Sequence, residues 1–139
     1  MRTILSTLLL SLVFLTGSAQ GISKQNTEQH NYVVMTKNVQ QIHPILLAAE
    51  ELKKEDGENF GVFEVIVCGK NIGDLTDSNK IEKLYERAEK LGVSIIACGF
   101  SLNRFKVEKS KLPEGMRVVE NGILHSLNLQ KKNYYSLDL

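Results

Sequence analysis

Apolar and polar positions along the chain fall into blocks with two different periods. Residues 32–36, Tyr32-Val33-Val34-Met35-Thr36, form a short apolar run bounded by polar residues and predict a first strand, with Lys37, Asn38 and Val39 as its exit loop. From about Gln41 the period becomes helical, because Ile42, Ile45, Leu46, Ala49 and Leu52 share one face. Pro44 is tolerated only in a first turn, which fixes where this helix begins. Glu50 and Lys54 form a supporting i,i+4 pair, and Gly57 is the expected stop. Residues 62–68 are rich in β-branched side chains and predict a second strand, followed by a loop over 69–76. The next helix has the clearest periodicity, carried by Ile81, Leu84, Tyr85, Ala88 and Leu91. Asn79 with Glu82 offers a capping box at its start, and Gly92 a stop at its end.

The stretch 93–104 changes character midway. Val93, Ile95 and Ile96 give it strand character, and after Cys98-Gly99 the spacing turns helical. A turn at Leu112-Pro113-Glu114-Gly115 precedes a short strand over 116–119. Asn121-Gly122 opens a segment with Ile123, Leu124 and Leu127 on one side, ending near Lys132-Asn133, and residues 134–139 make a last, docked strand. Strand-like runs alternating with helical segments imply right-handed crossovers and an α/β fold. The expectation is a single three-layer α/β/α domain with a mostly parallel five-stranded sheet.

Composition changes this picture at the N-terminus. Arg2, a Leu-rich apolar segment over 4–16 and the small residues Gly17-Ser18-Ala19 predict a secretory signal peptide over 1–19, cleaved after Ala19. The apolar run is short for a membrane span, so no stable membrane insertion is expected after cleavage; a retained N-terminal anchor is the alternative. Residues 20–31 read as a flexible leader, and 32–139 as the folded domain, with a periplasmic or secreted location. The formal net charge of +1, with no basic run, argues against nucleic acid as a partner.

Ligands of open parallel sheets bind off the carboxyl ends of the strands. That edge collects Lys37 and Asn38, Cys68, Cys98, and Glu120-Asn121. Cys98 alone is followed at once by a helix start, whose free N–H groups and dipole favour a thiolate. Ser101, three residues on, is placed to donate to that thiolate, and Arg104 to add positive potential. The competing reading is that Cys98 is a small buried apolar residue; Cys68, which lacks these features, reads as structural. Two cysteines in an exported chain also raise a disulfide. If the first strand lies between the second and third, as in common doubly wound orders, their Cα atoms are ~9–10 Å apart. Bridging requires less than about 7 Å, so strand order decides the matter. His43 can approach the same edge, whereas His30 lies in the leader and His125 on a late helix; no zinc-ligand spacing occurs, and neither metal nor cofactor is expected. Walker, GxGxxG, HExxH and GxSxG motifs are absent from the sequence. Lys131-Lys132 reads as a solvated helix end.

An apolar strand ending in Cys98, Arg104 six residues later, and Val107 opening the next loop resemble the DsrE/F-like family of small α/β sulfur-relay proteins. The resemblance extends through residues 112–119, where the family carries a turn and strand, and through Asn121-Gly122-Ile123. Lys106 stands where family members often have Gly, and the well-understood relays operate inside the cell. The resemblance implies a homo- or hetero-oligomer, often trimeric or hexameric and here expected as a homo-oligomer, in which Cys98 accepts a persulfide sulfur from a donor protein or small thiol and passes it to another. In that role Ser101 and Arg104 stabilise the anion, and Lys37, Asn38 and Asn121 line the strand-end pocket. Two alternatives stay open: a non-catalytic binding module in which Cys98 only lines that pocket, and a thiol–disulfide protein using Cys98 with Cys68.

Overall fold

The structure, a computed structural model, describes residues 29–139; the expected signal peptide and nearly all of the expected leader lie outside the described residues. The elements in chain order are β1 (His30–Thr36), α1 (Ile42–Asp56), β2 (Phe60–Val67), α2 (Ser78–Leu91), β3 (Val93–Cys98), α3 (Gly99–Arg104), β4 (Arg117–Val119), α4 (Gly122–Gln130) and β5 (Tyr135–Asp138). All four strand pairings are parallel, in the order β4-β3-β2-β1-β5. This is the α/β domain expected from the alternating periods. The last strand is docked on β1, pairing Tyr32 with Tyr135 through to Met35 with Asp138.

Strand order, with right-handed crossovers, decides which face each helix covers. Three successive crossovers step from β1 to β4 in one direction, with α1 and α2 packed side by side on one face. The chain then returns past β3, β2 and β1 to reach β5, which sends α4 across the opposite face. β2 is the central strand, and Phe63 through Cys68 are buried without interruption, as expected for a strand covered on both sides. The core joins Val65, Ile66 and Val67 to Ile42, Leu46, Ile81, Ile95 and Leu102.

Several local details differ from the sequence reading. β1 starts at His30, inside the expected leader, because its polar residues find partners: His30 Nδ1 lies 2.8 Å from Asp56 Oδ1, and Asn31 Oδ1 accepts from Val62 N–H. Asp77, not Asn79, caps α2, its carboxylate accepting from Asn79 N–H. Gly92 ends α2 with φ of 77°, as a left-handed stop requires. The loop after β2 coils into a 3-10 turn over Lys70–Thr76 that buries Ile72 and Leu75. Lys54 sits 3.8 Å from Glu50 but 2.7 Å from Glu51, since Glu50 is engaged by Arg87. The apolar side of α4 faces outward: Ile123, Leu124 and Leu127 are exposed, whereas Gly122, Ser126 and Leu129 meet the sheet. The polar groups beneath α4 explain that orientation. Glu64 of β2, on the same face, receives Arg117 of β4 and lies 2.6 Å from His125 Nε2 of α4.

Candidate functional site

In parallel strands, residues paired in register point to the same face. Val67 pairs with Ala97, so the next residues, Cys68 and Cys98, come side by side at the carboxyl ends of β2 and β3. The order that would have separated them, with β1 in between, does not occur. Both cysteines are free thiols.

Gly122, the first residue of α4, lies on top of the pair. A Cβ placed there would stand 2.6 Å from Cys68 Sγ, 2.9 Å from Ile66 Cγ2 and 3.2 Å from Cys98 Cβ, so only glycine fits. Asn121 caps the helix, its side-chain oxygen accepting from Ile123 N–H at 3.0 Å and Leu124 N–H at 3.2 Å. That leaves the Gly122 N–H for the sulfur, and it donates to Cys98 Sγ over 3.3 Å. The helix dipole that reaches Cys98 is therefore mainly that of the nine-residue α4, since α3 spans only six residues. From the other side comes Ser101, buried, whose Oγ accepts from Gly69 N–H at 2.9 Å. That bond fixes the hydroxyl beside Cys98.

The two sulfurs are electrostatically unlike. Burial pushes the Cys98 thiol up. The Ser101 hydroxyl, the N–H groups of Gly122 and Ser101 and the Cys68 thiol outweigh it and hold Cys98 below the ordinary thiol value. Cys68 is pushed up to about 12, first by burial, then by charge on Cys98 and by the hydrogen bond it gives to Cys98; Lys37 opposes this weakly. Of the two sulfurs, Cys98 is therefore the one at which the site favours an anion, and Cys68 the one at which it favours the proton. The pair is closed over: Cys98 is 3% exposed and Cys68 7%. Its walls are amide and hydroxyl donors on one side and the aliphatic Ile66 on the other.

Of the residues singled out from sequence, Ser101 reaches Cys98 directly, Asn121 acts one step removed by capping the helix whose Gly122 N–H donates to it, and Lys37 approaches Cys68. Asn38 caps the turn after β1, its oxygen accepting from Gln40 N–H. Arg104 is exposed at the far end of α3 and takes no part in the hydrogen bonds to Cys98. From sequence, Gly122 carries no signal of a role, and Cys68 reads first as structural, with a disulfide to Cys98 as the alternative. The available signal was the tendency of consecutive strands to be neighbours, which puts two strand-ending cysteines together. His43 is exposed, and among the described residues no three His, Cys, Asp or Glu side chains converge as a metal set would. An apolar cleft of about 280 Å³ lies elsewhere, between α1 and β5, lined by Pro44, Ala48, Leu52, Tyr135 and Leu137. Its lining holds no thiol and no carboxylate side chain, only the hydroxyls of Ser136, Tyr32 and Tyr135 among aliphatic and aromatic groups, so the thiol chemistry lies with the cysteines.

No protein-family model and no curated protein matches the chain. Among solved structures it is similar to MTH1491 from Methanobacterium thermoautotrophicum, described as a protein of unknown function. The TM-score is 0.63 at 18% sequence identity, over 80% of this chain and 100% of that one. At that identity the likeness is one of fold.

Proposed function

We propose that this protein is an exported sulfur carrier of the DsrE type, with Cys98 accepting a sulfane sulfur and passing it on as a persulfide. The observation that carries the reading is the Cys98 sulfur at the N-terminus of α4, where the Gly122 N–H at 3.3 Å and the Ser101 hydroxyl favour the thiolate. Transfer of sulfane sulfur is attack by a thiolate on a sulfur–sulfur bond, and a thiol ionised at neutral pH performs it. Cys98 is the nucleophile. Ser101 and Gly122 hold the charge, and Asn121 orients the helix that supplies the amide. Lys37, exposed at the rim beside Cys68, meets an anionic donor, and Arg104 adds positive potential at a distance. Because Cys98 is nearly covered, a donor reaches it only when the first turn of α4 or the side chains above it shift.

The same reading takes the carrier as a homo-oligomer, trimeric or hexameric. The exposed apolar stripe of Ile123, Leu124 and Leu127, with Phe100 on α3, supports it, because such a stripe is ordinarily covered. Donor and acceptor are proteins or small thiols of the compartment to which the signal peptide directs the chain.

Incubation with a persulfide donor is expected to add about 32 Da at Cys98, and Cys98→Ser to abolish the adduct. An adduct on Cys68 alone in the wild-type protein contradicts the assignment. If no adduct forms and Cys98 and Cys68 alkylate slowly and equally, the fold serves as a binding module.

A further inference from the structure

The carrier reading needs only Cys98, yet the sheet register places a second sulfur beside it, beneath the same glycine. Three features of Cys68 go beyond a packing role. It continues the β2–β3 register directly opposite Cys98, and at the spacing of neighbouring strands the two Cα atoms are about 5 Å apart, within disulfide range. Its thiol is close enough to Cys98 to favour an anion there and to be raised by it in turn, so a proton on Cys68 is available to a group attached at Cys98. Gly122 packs against both, with no side chain to hold them apart.

We infer that Cys68 is the resolving thiol of this site: it attacks the inner sulfur of a Cys98 persulfide and expels the outer sulfur as hydrosulfide. The step rests on the sulfur-carrier reading for its starting species. Cys98–S–S⁻ and Cys68–SH become a Cys68–Cys98 disulfide and HS⁻. The Cys68 S–Cys98 S bond forms as the Cys98 sulfur–sulfane bond breaks, and the Cys68 proton leaves on the hydrosulfide. The sulfane sulfur gains two electrons and the two cysteine sulfurs together lose two, so no outside oxidant is required. A dithiol reductant then returns the disulfide to the resting pair by thiol–disulfide exchange. Burial favours the protonated form of Cys68 before loading, as the donors around Cys98 favour its thiolate. Loading moves the negative charge one atom outward, and transfer of the Cys68 proton to that sulfane sulfur makes Cys68 the thiolate nucleophile and Cys98–S–SH the electrophile from which hydrosulfide leaves. The donors that hold charge on Cys98 at rest are at hand for the charge on the departing sulfur. The carrier is thereby also a sulfide-releasing device, with a loaded state that lasts only as long as Cys68 is held off.

The test loads the full-length reduced protein with inorganic tetrasulfide, removes the excess by anaerobic desalting, and follows intact mass and free sulfide with no thiol present. Wild-type protein is expected to lose the adduct, take on the mass of the internal disulfide and release hydrosulfide stoichiometrically with it. Cys68→Ser is expected to keep the adduct on Cys98, with sulfide release slowed at least about tenfold. Cys68→Ala, which leaves the site apolar, repeats the measurement should serine disturb the fold, and circular dichroism checks both variants. Equal retention of the adduct by wild type and both Cys68 variants overturns the resolving role and leaves the carrier reading intact. Failure of either folded Cys68 variant to take sulfur on Cys98 overturns the carrier reading, and the resolving step with it.

Discussion

At the scale of single residues, the decisive feature is a nearly covered sulfur whose pKa is lowered despite its burial. Burial alone would raise its pKa, as it does for Cys68. Cys98 differs because a helix N–H, a hydroxyl and a neighbouring thiol all aim at it. Gly122 is the residue on which this depends most. Gly122→Ala is expected to destabilise the fold by about 1–3 kcal/mol through overpacking. It should also slow alkylation of Cys98, because the methyl group, 2.6 Å from Cys68 Sγ, pushes the amide off its acceptor. Denaturant unfolding and a timed alkylation check the two effects, and a variant as stable and as reactive as wild type contradicts the geometry. Cys98 and Ser101 were legible in the sequence because both follow from one strand-to-helix junction. The α4 amide was not, since it comes from a segment 24 positions further on that only the fold brings back.

Elements were legible where hydrophobic period decided them and less so where side-chain partners did. All the helices and strands the period implies are present, but His30 and Asn31 look like leader until Asp56 and Val62 are seen beside them. That latch between β1 and the end of α1 carries a pH dependence. Hydrogen bonds from Tyr32 Oη at 2.6 Å and from His30 hold Asp56 below its usual carboxylate range. A depressed carboxyl pKa contributes stability that is complete above the unfolded-state value and is lost as pH falls through the folded one. Tyr32→Phe removes the larger cause. The melting temperature of this variant is expected to lie below wild type at pH 7, with the gap closing as pH drops through the carboxylate range. A gap that stays constant with pH contradicts the latch. The outward turn of α4 was hidden for the opposite reason. Ile123, Leu124 and Leu127 signal an inward face by composition, yet His125 and Arg117 must reach Glu64, and that requirement sets the rotation of the helix.

For the whole molecule, one sheet order accounts for both the site and the surface. Placing β2 beside β3 joins the cysteines, and returning from β4 to β5 lays α4 over them with its apolar stripe outward. The α/β class was legible from alternation alone, but the order of strands was not, because apolar runs do not name their neighbours. The exposed stripe leads to a test of assembly. Light scattering of the wild-type protein is expected to give a mass above the monomer, and Leu124→Glu to shift it to the monomer with the fold kept, since Leu124 is 55% exposed. A monomeric wild type contradicts the homo-oligomer.

Cys98 is held below an ordinary thiol while Cys68 is pushed above one, and titration of thiolate ultraviolet absorbance reads that difference directly. Wild-type protein is expected to show an inflection below that of the same thiols in the unfolded chain, and Cys98→Ser to lose it. Folded wild-type protein with inflections only at or above the ordinary thiol value contradicts the account.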